Sequence, residues 1–253
     1  MKSLPPESRW TLLLMSAFVA FGPLSTDMYL PALPSLVAYF ETTLPTVQWT
    51  LSGYLIGFAV FHLLCGPLAD RFGRKPVLLG GIALFTLACA GCALSTSIGQ
   101  LIAFRVLQGV AACVGPTLGR AMARDIYGPK RAAKALGYMA AIMALAPVVA
   151  PLLGGWMLGW FSWQAIFWVL ALYGLLAWLA VWFFLPETLP VAAAFNVRAI
   201  SRSYLLLLSN RYFIAAVVGI AGLSIIGVVA AVAGSAIYFS KNSNEFAATK
   251  MDA

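Results

Sequence analysis

Charge is what this sequence has least of. Only 9% of its 253 residues are Asp, Glu, Lys or Arg, against 62% that are hydrophobic. A soluble domain carries about 25% charged residues. So few charges cannot cover the surface of a soluble fold, which excludes a water-soluble enzyme, a nucleic-acid module and a disordered chain. Acids number eight, and His62 is the single histidine. An integral membrane enzyme would need His, Asp or Glu gathered at one depth, and these numbers argue against it. Cysteine is confined to Cys65, Cys89, Cys92 and Cys113, all inside apolar runs. No spaced framework sits in a loop, so no disulfide and no metal site is expected. Cys89 and Cys92 fit a C-x-x-C pattern but read as small packing residues within a helix. The apolar stretches also lack the polar–apolar alternation of barrel strands. What remains is an all-α integral membrane protein, in keeping with a mean hydropathy of +0.92.

A spanning helix needs about 20 mostly apolar residues. Seven runs qualify: Trp10 to Leu30, Gln48 to Ala69, Val77 to Leu94, Gln100 to Ala123, Ala135 to Gly159, Gln164 to Leu185 and Tyr212 to Tyr238. The first is longer than a signal-peptide core and ends in Asp27-Met28-Tyr29-Leu30-Pro31, not a small-x-small site, so it is read as a retained helix. Residues 1–185 thus form a six-helix bundle. Residues 186–211 form a linker with an amphipathic segment (Ile200, Tyr204, Leu205, Leu208) suited to the membrane surface. Residues 212–238 form a seventh helix and 239–253 a polar tail.

The net charge of +8 is concentrated in loops. Lys2 and Arg9 precede helix 1. Arg71, Arg74 and Lys75 join helices 2 and 3; Arg120, Arg124, Lys130, Arg131 and Lys134 flank the next basic connection; Arg198, Arg202 and Arg211 lie before helix 7. The alternate loops carry no basic residue. This bias places the N-terminus and the basic loops in the cytoplasm, and it accounts for the charge without nucleic acid. Trp49, Trp160, Trp163 and Tyr29 serve as interfacial anchors at the outer ends.

Ionisable groups inside apolar spans each cost about 2.5–3.5 kcal/mol on insertion scales and so call for a reason. Asp27 lies near the outer end of helix 1 and Arg105 about two turns into helix 4. They meet if those helices face one another. One reading makes Asp27 a carboxylate that binds and releases a proton or cation, tuned by Arg105; the other makes it a water-exposed cap and Arg105 a structural residue. His62 is a candidate relay or a structural side chain, and Gln108, Gln48 and Tyr54 are candidate cavity-wall residues. Gly53/Gly57, Gly115/Gly119 and Gly155/Gly159 have the four-residue spacing of close helix contacts. Pro147 and Pro151, followed by Gly154 and Gly155, suit a helix that bends.

The loop between helices 2 and 3 reads Gly66-Pro67-Leu68-Ala69-Asp70-Arg71-Phe72-Gly73-Arg74-Lys75-Pro76. It resembles the cytoplasmic loop motif of the major facilitator superfamily at every specified position, and it falls where the topology requires. Its physics is a charged latch: Asp70 beside three cations, with Gly73 allowing a tight turn. Leu101, Arg105, Gln108, Gly109, Ala111 and Ala112 resemble the family's helix-4 motif. Residues 146–155 resemble its antiporter helix-5 motif, departing at Ala150 where glycine is usual. Asp27 to Pro34 and Arg124-Asp125-Ile126-Tyr127 resemble the Bcr/CflA drug-resistance subgroup. The resemblance covers about residues 10 to 236. It implies multidrug or antibiotic efflux by drug:proton antiport in a bacterial inner membrane. No cofactor is implied beyond the proton gradient as energy source; the partners are a small-molecule drug and the lipid bilayer. Asp27, Arg105 and Gln108 would form the coupling and substrate cavity. Gly66, Asp70, Arg71, Gly73, Arg74 and Lys75 would form the cytoplasmic gate, and Pro147, Pro151, Gly154 and Gly155 the bending element. Superfamily members have two six-helix halves, whereas this sequence holds one half and about one further helix. It is therefore read as a truncated, inactive copy, or as a half that works as a homodimer or as a non-transporting interaction subunit.

Overall fold

The computed structural model describes residues 9–188, Ser209, Asn210, and the pairs 214–215 and 218–219. The chain divides into two compact units, Met1–Phe195 and Asn196–Ala253. In the second, the Ile214 amide donates to the Asn210 carbonyl at 3.0 Å, a helical bond. Most of the linker, the seventh helix and the tail lie outside the described residues.

The described part of the first unit is built of helices joined by short turns. Its helices are α1 (Arg9–Val19), α2 (Phe21–Asp27), α3 (Leu33–Tyr39), α4 (Leu44–Phe72), α5 (Arg74–Ala93), α6 (Ile98–Ala112), α7 (Val114–Trp160) and α8 (Gln164–Phe184). They make six spans long and apolar enough to cross a membrane: Trp10–Tyr39, Leu44–Phe72, Arg74–Ala93, Ile98–Gly128, Lys130–Trp160 and Gln164–Phe184. Helices suit such residues because lipid offers no partner for backbone N–H and C=O groups, so each segment must satisfy its own.

Local chemistry sets the ends. Ser97 caps α6, its hydroxyl accepting from the Gln100 amide. Gly73, at φ +95°, separates α4 from α5 in a backbone conformation that L side chains rarely adopt. Gly128, at φ +61°, breaks α7 into spans 4 and 5. Span 1 runs nine residues beyond the Leu30 boundary expected from sequence. A 3-10 turn at Leu30–Ala32 and α3 extend it, with Pro31 and Pro34 at early helical positions. A proline there gives up no intrahelical bond, so it restarts a helix instead of stopping it. Across Pro147 and Pro151, the helix keeps helical φ/ψ; Gly128 is its one non-helical position.

Without a hydrophobic force between helices in lipid, close backbone approach does the packing. Spans 2 and 4 meet this way. A Cβ on Gly57 would run into the Val106 carbonyl, and one on Gly109 into the Tyr54 carbonyl. Span 5 meets span 1 at Gly154, where a Cβ would strike the Met28 carbonyl. Gly115 sits against the Phe18 carbonyl, whereas Gly155 and Gly159 have nothing within 4 Å. Phe18, Phe21, Phe85 and Phe167 fill the buried centre. Span 5 turns Val148, Leu152 and Trp156 outward.

Candidate functional site

Arg105 is the largest fully buried side chain described, at 0% exposure. Span 4 carries it to the middle of the bundle. Nη1 donates to the Ser25 carbonyl of span 1 at 3.1 Å and to Gln108 Oε1, one turn along, at 2.6 Å. Aromatic rings close the rest. The guanidinium carbon lies 4.3 Å from the Tyr29 ring centre, 4.7 Å from Tyr54 and 5.8 Å from Phe167. Ring faces attract a desolvated cation by about 2 kcal/mol. Nε and Nη2 are buried with no hydrogen-bond partner. Among the described residues the charge has no carboxylate within ion-pair distance, an expensive arrangement for a group that could be replaced by methylene. Gln108 in turn donates to Cys89 Sγ at 3.0 Å, and Tyr29 bonds Thr50 through its hydroxyl.

Asp27 does not pair with Arg105. It is half-buried, and its Oδ1 accepts from Thr26 Oγ1 at 2.9 Å. Because span 1 continues to Tyr39, Asp27 lies about 18 Å from that end by helical rise, deeper than its expected place near the outer end. The two expected partners therefore sit on facing helices, with the Ser25 carbonyl, two residues before Asp27, in the position the carboxylate was expected to hold. Pro147 and Gly155 lie on the exposed side of span 5, Pro151 is half-buried, and Gly154 is packed on span 1.

At the basic end the motif residues form a latch. Arg74 Nε lies 2.9 Å from Asp125 Oδ2, and its Nη2 lies 3.7 Å from Asp70 Oδ1. Glu187 accepts from the amides of Arg74 at 3.0 Å and Lys75 at 3.1 Å, capping the first turn of α5. A carboxylate there meets the unpaired amides and positive end of the helix dipole. Lys75 Nζ donates to the Trp182 carbonyl at 3.2 Å, and Thr188 Oγ1 to Asp125 at 3.4 Å. Arg71 stacks over Phe72, 4.9 Å from its ring centre, and Gly66 has open space around it. Glu187 and Thr188, which the sequence reading assigned to the linker, thus join the bundle. Glu187, Ser25, Tyr29 and Phe167 were not singled out as site residues by sequence. A lone acid just after an apolar run, facing a basic loop, was the available signal for Glu187; ordinary aromatic residues in a span gave none.

A bundle of six apolar helices around a buried guanidinium, latched at one end by opposed charges, is the architecture of a membrane transporter, and the chain belongs to the Major Facilitator Superfamily, whose model matches residues 13–247. Among curated relatives, it is 41% identical over 181 residues to a chloramphenicol resistance protein of Pseudomonas aeruginosa, covering 70% of this chain and 43% of that one. It is 35% identical to a bicyclomycin resistance protein homolog of Haemophilus influenzae, covering 78% and 49%. The chain spans about half the length of the curated relatives it matches. Among solved structures, the human organic anion transporter MFSD10 matches with a TM-score of 0.61 at 24% identity, covering 79% of this chain and 54% of that one. A D-xylose–proton symporter matches with a TM-score of 0.64 at 14% identity, covering 81% and 54%. Both share the fold.

Proposed function

We propose that this chain forms the six-helix wall of a proton-coupled drug exporter in a bacterial inner membrane, its basic loops and N-terminus cytoplasmic. The observation that carries the reading is Arg105, fully buried yet held by neutral acceptors and ring faces alone. A cation kept in that state at such cost is suited to a changing partner. Asp27 on the facing span is the candidate. Protonated, it exerts little pull on Arg105; ionised, it attracts the guanidinium, so gain and loss of a proton alters the force between spans 1 and 4. Gln108 shares Arg105 and supplies a hydrogen-bonding wall for substrate. Asp70, Arg74, Asp125 and Glu187 hold the basic end closed, and breaking those pairs frees it to move. Span 5 pivots about its glycine contact with span 1. The drug-resistance relatives support an antibiotic as cargo. A second copy of this chain could supply the opposing wall, a reading favoured by the exposed face of span 5.

The test is resistance. Pump-deficient bacteria expressing the chain should survive severalfold more chloramphenicol or bicyclomycin, and Asp27→Asn or Arg105→Lys should abolish the gain. Sensitivity unchanged, with membrane insertion confirmed by immunoblot, overturns the proposal.

A further inference from the structure

At the basic end, spans 1, 4 and 5 border a cavity of about 220 Å³ that the coupling mechanism does not use. Leu12 of span 1, Tyr127 of span 4, and Arg131, Lys134, Ala135 and Tyr138 of span 5 line it. The four span-5 residues follow the i, i+3, i+4, i+7 spacing of one helix face. Arg131, Lys134 and Tyr138 are exposed, Leu12 and Tyr127 half-buried, and Ala135 buried. No acid lines the cavity. The nearest acid in sequence, Asp125, is held by Arg74 at 2.9 Å.

The lining is graded along the helix axis. Span 5 begins at Lys130, so Arg131 and Lys134 stand in its first two turns. Tyr138 lies seven residues beyond Arg131, about 10 Å by helical rise. The polar zone of each leaflet is roughly 5–8 Å deep. A cavity of that length therefore crosses from headgroup level into the edge of the hydrocarbon. Its outer part carries two cations, and Leu12, Ala135 and the tyrosine rings supply apolar walls. Like charges one turn apart repel, and an anion between them relieves the repulsion. A guanidinium fits two phosphate oxygens with paired N–H groups, while an ammonium adds a point charge. The volume falls short of the roughly 300 Å³ at which drug-sized pockets begin. It suits a headgroup whose tails stay in lipid.

We propose that this cavity is a headgroup site for an anionic phospholipid of the leaflet at the basic end. The lipid phosphate lies between Arg131 and Lys134, and the Tyr138 hydroxyl donates to a phosphate or glycerol oxygen. The first carbons of the tails run along Leu12 and Ala135. Cations beside any span attract anionic lipid. The pocket is what makes this a site: Arg124 and Lys130 are exposed cations of the same connection, yet neither lines it. A lipid seated there joins the start of span 1 to the start of span 5, the pair whose pivoting the transport reading invokes. The proposal rests on the cytoplasmic placement of the basic end only for which leaflet supplies the lipid.

The experiment is native mass spectrometry of the full chain released from neutral detergent micelles, which reads bound lipid by mass. Offered phosphatidylglycerol and phosphatidylcholine in equal amounts, the chain should retain phosphatidylglycerol in preference. Arg131→Gln and Lys134→Gln should each weaken that binding about fivefold, the loss of one cation. Lys130→Gln removes the same charge outside the lining and should leave binding unchanged. If Arg131→Gln fails to fold, Lys134→Gln against Lys130→Gln decides. Equal retention of the two lipids, or equal losses in Lys130→Gln and Lys134→Gln, overturns the site. Displacement of phosphatidylglycerol by inorganic phosphate assigns the cavity to a free anion and overturns the lipid. Micelles have no leaflets, so phosphatidylglycerol preference in a chain whose basic end is labelled from outside the cell overturns the orientation alone. Lack of preference in a chain with its basic end inside overturns the site alone.

Discussion

Replacing Arg105 by lysine keeps the charge and removes the geometry, which makes it the sharpest test of how the chamber is built. The guanidinium satisfies two acceptors, the Ser25 carbonyl and Gln108, while lying between the rings of Tyr29 and Tyr54. Hydrogen bonds involving a charged group contribute about 1.5–3 kcal/mol each, and a desolvated cation–π contact about 2 kcal/mol. An ammonium is a compact point charge and cannot stack as a plane while reaching both acceptors. Losing one hydrogen bond and part of the ring contact gives an expected destabilisation of about 2–4 kcal/mol. Tyr54→Phe keeps the ring and should change little, whereas Tyr54→Leu removes a ring face and should destabilise. Because both alter one contact, Tyr54→Leu combined with Arg105→Lys should cost less than the two separately. Unfolding of the purified chain in detergent, followed by denaturant titration, reads all four. Arg105→Lys as stable as the parent, or strict additivity in the double variant, would refute the sandwich.

Gly109→Ala should destabilise by about 1–3 kcal/mol through overpacking against the Tyr54 carbonyl. Gly80→Ala, where nothing lies within 4 Å, should be neutral or stabilising by up to about 1 kcal/mol; the same unfolding assay compares them. Glu187→Ala should cost about 1–2 kcal/mol by uncapping α5, an effect that shrinks in high salt, read as the melting-temperature difference at two salt concentrations. A membrane-impermeant thiol reagent applied to intact cells should label Glu41→Cys and spare Lys130→Cys; equal labelling contradicts the proposed orientation.

The six spans of the first unit were legible in sequence because a run of twenty apolar residues has few other uses. Their ends were less so. The first run was ended at Leu30, before Pro31, yet Pro31 and Pro34 both sit at the starts of helical turns, where a proline gives up no bond. Arg105 announced itself through cost: a charge in an apolar run demands a reason, whatever surrounds it. Its surroundings did not, because Tyr29, Tyr54 and Phe167 look like any aromatic in a span until the helices cross. Asp27 and Arg105 were matched by depth alone, and depth leaves azimuth undetermined; the side chain found the Ser25 carbonyl instead. Glu187 was obscured for the opposite reason. It stands beyond the last apolar residue, where composition reads as linker, and only the fold returns it to the start of α5, 113 positions away.

Spans 2 and 4 touch through main-chain atoms at Gly57 and Gly109, so the wall they make is indifferent to most of the side chains it displays. Rigidity and selectivity are thereby written in separate alphabets. Side chains that face away from this contact can change without retooling the joint beneath them.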